Sequence, residues 1–171
     1  MLDAERLTAL FKYNAWADNM LFDAMKALPR DVLSERTGTL FESMVGTLNH
    51  NLQVDLIWRA HMLGREHGFT SRRDVLHERF EDVAAAQVDM NAWFIDWCTT
   101  QAAAALDEHV SFRFVSGNPG RMRRSDMLFH VINHKTYHRG WIAEMFFQSG
   151  FVPPEIDLSA YLSDASVQRA A

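Results

Sequence analysis

The segment His130-Val-Ile-Asn-His134-Lys-Thr-Tyr-His138-Arg-Gly holds three of the chain's eight histidines. On a helix, a four-residue step leaves two side chains ~40° apart around the axis and ~6 Å apart along it. Two imidazoles so placed can converge on one ion. Met127, Val131, His134, His138, Trp141 and Met145 step by fours and threes, the inward seam of a bundle helix, and His130 falls on its flank. His130 also lies ~12 Å from His138 along the axis, too far to share an ion with it. The spacing therefore selects His134 and His138.

A buried imidazole must satisfy both ring nitrogens or bear a desolvation penalty, and two of them one turn apart do not readily both carry charge. The bland reading is a pair of hydrogen-bonded core histidines. The sharper one has a metal taking one nitrogen of each neutral ring while the other donates to a neighbouring group. Two histidines on one seam favour the metal.

The remaining histidines are less telling. His50 shares a helix face with Thr47, Val54, Ile57, Trp58 and His61, and pattern alone does not nominate it. His61 is on the same face but ~16 Å away, so the two cannot serve one ion. His67, His77 and His109 read as loop or helix-edge residues. Asp55 points well away from His50 on an ideal helix and is not a ligand candidate. Tyr137, Arg139 and Asn49 are plausible neighbours of a site, each more often structural. Trp58, Trp93, Trp97 and Trp141 read first as core, with a pocket or a dimer interface as the other use.

The elements that must carry these residues are helical. Apolar residues at three- and four-residue intervals predict a helix from about Asp3 to Leu28, stopped by Pro29. A second runs from Thr39 to about Leu63, with Phe41, Met44, Val45, Leu48, Leu52 and Leu56 in its stripe, before Gly64 and Gly68 bracket a loop. A third spans about Arg73 to Leu106 and ends in alanines. Val110 to Arg124 alternates around Ser-Gly-Asn-Pro-Gly, which predicts a short β-hairpin. Ser125 sits as an N-cap for a last helix ending near Gln148, with Gly150 closing it and an extended tail through Pro153-Pro154. The fold class is all-α, a four-helix bundle with a hairpin insert before the last helix, in a single domain over residues 1–171.

Composition narrows the function. The net charge of −5 offers no basic field for a phosphate backbone or an anionic membrane, and the Arg121, Arg123, Arg124 cluster is too short to supply one. Neither nucleic acid nor membrane is expected as a partner. Cys98 is the only cysteine, so neither an internal disulfide nor a thiolate cage can form. An N-terminus with early acidic residues lacks the pattern of an export signal, and no run reaches the ~18 apolar residues of a membrane span. The expected location is cytoplasmic.

With these pieces placed, the sequence resembles the DinB family of YfiT-like metalloenzymes across nearly its whole length. The resemblance rests on Tyr13-Asn-Ala-Trp-Ala17, Leu48-Asn-His50, Val131-Ile-Asn-His-Lys-Thr-Tyr-His-Arg-Gly140, Gly150-Phe-Val-Pro-Pro154, Asp157-Leu158 and Tyr161-Leu162. The His-x-x-x-His-Arg-Gly segment is the most specific. It implies a bundle, often homodimeric, with a metal held by one histidine of the second helix and two of the last: His50, His134 and His138. Asp18 stands where relatives commonly carry asparagine, a departure that does not touch the ligands.

Three neutral imidazoles leave a coordination position for water or substrate, as in catalytic sites. They suit a divalent zinc, nickel, copper or iron ion without choosing among them. The resemblance puts first a thiol S-transferase acting on a small electrophile, with a low-molecular-weight thiol as partner. The competing readings are a hydrolase using metal-bound hydroxide and a non-catalytic metal-binding stress-response protein. The motif itself contains no convincing general base.

Overall fold

The computed structural model describes residues 3–164. Helix α1 (Ala4–Lys26) starts at Asp3, whose carboxylate accepts from Arg6 N at 2.8 Å. A five-residue helix α2 (Arg30–Ser34), not anticipated from the sequence, follows Pro29. Helix α3 (Met44–Met62) begins five residues later than the stripe predicts. Ser43 caps it by accepting from Gly46 N at 3.0 Å, and Glu42 turns the chain with φ 67°. Phe41, counted in the predicted stripe, thus belongs to the preceding turn.

Helix α4 (Phe80–Thr100) is shorter at both ends than expected. Residues 71–77 are kept out of it by side chains of α3. Gln53 Nε2 donates to Ser71 O and Asp74 Oδ2, and Asn49 accepts from the amides of Leu76 and His77. These tertiary bonds outweigh a weak local helical preference. At the other end Gln101 is extended, and the alanine-rich stretch forms a separate helix α5 (Ala103–Asp107).

The hairpin forms as expected, with β1 (His109–Arg113) antiparallel to β2 (Pro119–Arg123) and Val110 opposite Met122. Helix α6 (Arg124–Gln148) follows at once. Ser125 is a buried helical residue rather than the cap; Arg124 anchors the entry instead, donating to Met62 O and Glu108. Gly150, at φ 80°, ends α6 while Phe151 N bonds back to Phe146 O, and a short helix α7 (Leu158–Ser163) interrupts the extended tail.

The four long helices pack in a ring, α1 on α4 and α3 on α6 most extensively, closed by α3 on α4 and α1 on α6. Phe11 and Phe94, stacked at 4.7 Å, lie in the core with Leu7, Leu21, Met127 and Ile142. The hairpin lies along α3 and α6 and brings Phe112 and Phe114 against Trp58. The architecture is an all-α bundle with one two-stranded sheet. Among the described residues no helix is long and apolar enough to cross a membrane.

Candidate metal centre

His50 on α3 and His134 and His138 on α6 meet where the two helices pack. Their ring centroids lie 5.0, 4.8 and 4.5 Å apart, and one nitrogen from each falls within 4.8 Å of the others. His130 and His61 stand outside this group, each packed against Trp58. His67 packs on His61, His77 lies in the loop held by Asn49, and His109 is exposed at the start of β1.

The His50 ring has a fixed role for each nitrogen. Nδ1 lies 2.8 Å from Arg72 O, and because a carbonyl only accepts, Nδ1 carries the proton. The Nε2 lone pair is thereby directed at the centre, 3.1 Å from His134 Nε2. Two imidazoles bound at ~2.0–2.1 Å to a tetrahedral ion place their nitrogens about 3.3 Å apart, so this pair is already close to ligand spacing. His134 Nδ1 and His138 Nδ1 are buried with no hydrogen-bond partner. Three imidazoles from two helices converging on one point, with His50 anchored through its far nitrogen, fit a metal ion better than a set of self-satisfied core histidines.

Electrostatics keeps these rings neutral. Burial, with the neighbouring His138 and His50 rings, drives the His134 pKa down to about 2, and burial with His50 takes His138 to about 4. His50 is also lowered by burial, partly offset by its bond to Arg72 O and reinforced by the charges of Arg72 and Arg73. All three lone pairs are available at neutral pH.

Aromatic walls shape the approach. Phe41 stacks on His50 at 3.8 Å between centroids and Trp141 packs edge-on to His138 at 4.8 Å. Phe41 reaches this position because Gly46 has no side chain: a Cβ there would lie 2.0 Å from Phe41 O. A cavity of about 300 Å³ touches all three rings and is bounded by Phe41, Tyr137 and Trp141. A larger one, about 530 Å³, reaches His134 past Trp58, Phe114 and His130. Trp58 and Trp141 therefore face cavities, whereas Trp93 packs against Phe94 on the core side of α4.

One residue along from each α6 histidine lies a buried cation: Arg139, which the sequence offered as a neighbour of the site, and Lys135, which sequence reasoning missed. Lys135 and Arg139 are 1% and 3% exposed. Lys135 Nζ contacts Asp18 at 2.6 Å, Asn91 at 2.8 Å and Asp55 at 3.3 Å, and Arg139 bonds Asp18 and Asn14. Burial works to raise the Asp18 pKa, but Lys135 and Arg139 overcome it and hold it below the usual value. Asp55 shares only Lys135, and burial prevails, pushing its pKa up. The helical repeat thus gives α6 two i,i+4 pairs, histidines toward α3 and cations toward carboxylates of α1 and α3. A lysine one residue from a candidate ligand, with two acidic residues on other helices, was the available signal. Charged residues are so rarely buried that it was outweighed.

Asn49 and Arg139, considered as neighbours of the site, have structural partners, and Tyr137 is 60% exposed at the mouth of the smaller cavity.

The DinB family model matches residues 1–170. Protein DinB of Bacillus subtilis (strain 168) is 26% identical over 167 residues, covering 94% of this chain and 96% of that protein. The crystal structure of a DinB-like protein from Bacillus cereus ATCC 10987 superposes with a TM-score of 0.64 at 19% identity, covering 88% of this chain and 95% of the other. That likeness speaks for the fold.

Proposed function

The chain belongs to the DinB family, and on that premise we propose that it is a divalent-metal-dependent enzyme of the thiol S-transferase type, acting on a small electrophile. The observation that carries this reading is a three-imidazole cluster, with His50 anchored through Nδ1, that opens onto aromatic-walled cavities. A buried structural ion needs no such access.

When bound, a divalent transition ion supplies Lewis acidity that lowers the pKa of a thiol brought to its open position. His50, His134 and His138 would hold it as neutral donors, and the Arg72 carbonyl fixes which nitrogen His50 presents. Phe41 packs over the His50 ring and Trp141 edge-on to that of His138. The cavities accommodate the electrophile so that the sulfur forms a bond to its reactive carbon, the thiol proton passes to solvent and the displaced group departs.

The lining favours a thiol over water as the nucleophile. No carboxylate borders either cavity among the described residues. Hydrolysis gains from a general base of suitable pKa, whereas a thiol is acidic enough to be ionised without one.

The test is a turnover assay with the zinc- or nickel-loaded protein, cysteine or cysteamine as thiol and monobromobimane as electrophile. Conjugation well above the uncatalysed rate is expected, abolished by chelator and by His134→Ala. A rate equal to background for every thiol and metal would overturn the assignment.

A further inference from the structure

We propose that the substrate is an oxyanion, a carboxylate- or phosphate-bearing small molecule with an apolar body, whose charged end is held by Arg72 and Arg73 beside the three histidines. Only the placing of its reactive end at the metal rests on the function proposed above.

Both arginines border both cavities that reach His134, one of which also touches His50 and His138. Among the described residues, neither guanidinium has a hydrogen-bond or ion-pair partner. In a chain of net charge −5, these two adjacent cations stand unneutralised beside the three histidines. Asp74, the nearest acid in sequence, has its carboxylate engaged by Gln53 Nε2 at 2.7 Å. No acid belongs to either lining, so the charged groups an incoming carboxylate or phosphate meets there are the two guanidiniums, which pair such groups bidentately.

The segment bearing the arginines is held in place. Arg72 O accepts from His50 Nδ1, Ser71 O accepts from Gln53 Nε2, and Asn49 binds the backbone of Leu76 and His77. His50 and Gln53 are 5% and 0% exposed. The backbone from which the guanidiniums project is therefore tied to the candidate ligand itself, which reduces the ordering penalty on binding. Trp58 and Phe114 in the larger cavity, and Phe41 and Trp141 in the smaller, offer rings for the apolar body. A cationic mouth over aromatic walls selects an amphiphilic anion over a bare anion or a neutral hydrocarbon.

The test is calorimetric titration of zinc-loaded protein with phenylacetate, phenyl phosphate and the neutral phenylacetamide, with zinc measured in the same samples. Wild type should bind both anions at least ~10-fold more tightly than the amide, as expected for a charge-assisted pair. Arg72→Gln/Arg73→Gln should lose that preference at unchanged zinc content. A preference retained in the double variant would mean that the ion alone attracts the anion, and a wild type without preference would mean that no oxyanion site exists. Either result overturns the proposal. Titration of His134→Ala separates the two readings: an anion preference that persists without metal supports the arginine site even if the metal reading fails.

Discussion

Replacing Lys135 with methionine removes the one charge shared by Asp18 and Asp55 while nearly preserving side-chain volume. In the native protein the ammonium lies 2.6 Å from Asp18 Oδ2 and 3.3 Å from Asp55 Oδ2, with side-chain exposures of 1%, 4% and 0%. After substitution Asp18 keeps Arg139 at 3.3 Å, whereas Asp55 keeps only Gln87 Nε2 at 2.8 Å. A buried carboxylate stripped of its counter-charge destabilises by about 3–5 kcal/mol. Protonation limits the loss, because the Asp55 pKa already lies above its usual value. The expected loss at pH 7.5 is therefore about 3 kcal/mol, a large share of the ~5–15 kcal/mol that holds a domain folded. The sign with pH follows from the raised folded-state pKa. Protonated Asp55 is favoured in the fold below its unfolded value, and that advantage is lost as pH rises through the folded value. The deficit of the variant should thus shrink between pH 7.5 and 5.5. Urea unfolding of metal-free protein, followed by circular dichroism, measures both points. Adding Asp55→Asn to Lys135→Met should recover part of the loss. A single variant within 1 kcal/mol of wild type at pH 7.5, or a double variant less stable than the single, would refute the argument.

Gly46→Ala must push the turn bearing Phe41 off α3, since the added methyl would lie 2.0 Å from Phe41 O. A loss of about 2 kcal/mol or more in urea unfolding is expected, together with faster loss of bound zinc to a chelator as Phe41 leaves His50. The metal-free protein should be acid-labile. His61, His134 and His138 have folded pKa values lowered from 6.5 to about 4, 2 and 4, so below 6.5 the unfolded chain binds protons that the native one does not. Stability is present above 6.5 and falls by roughly 1.4 kcal/mol per pH unit for each such histidine; bound metal should move the urea midpoint at pH 5.5 upward. A homodimer, implied by resemblance alone, predicts sedimentation at micromolar concentration as twice the 19.7 kDa chain mass.

Periodicity carried most of the bundle. The seam from Met127 to Met145 placed His134 and His138 together on α6, and the alternation after Val110 gave the hairpin, because both patterns are local. What failed was set by contacts distant in sequence. The helix predicted from Arg73 is a loop until Arg79 because Asn49 and Gln53, on another helix, claim its backbone. Phe41 fits the periodicity of α3 yet lies before its cap, on the ring of His50. Nothing along α3 singles out His50 from the other buried polar residues of its face. Its meeting with α6 depends on how two helices cross, so only resemblance pointed to it. Asp18, noted as a departure from relatives, is one of four charges in a buried network whose others, Asp55, Lys135 and Arg139, lie on α3 and α6.

The proposed centre requires His50, His134 and His138 to share one ion. Elemental analysis of purified wild type beside His50→Ala, His134→Ala and His138→Ala, each confirmed as folded, tests it most directly. One transition-metal equivalent per chain in wild type, lost or sharply reduced in all three variants, is the predicted result. Undiminished metal in any one folded variant, or a wild type that takes up no divalent metal on reconstitution, would contradict it.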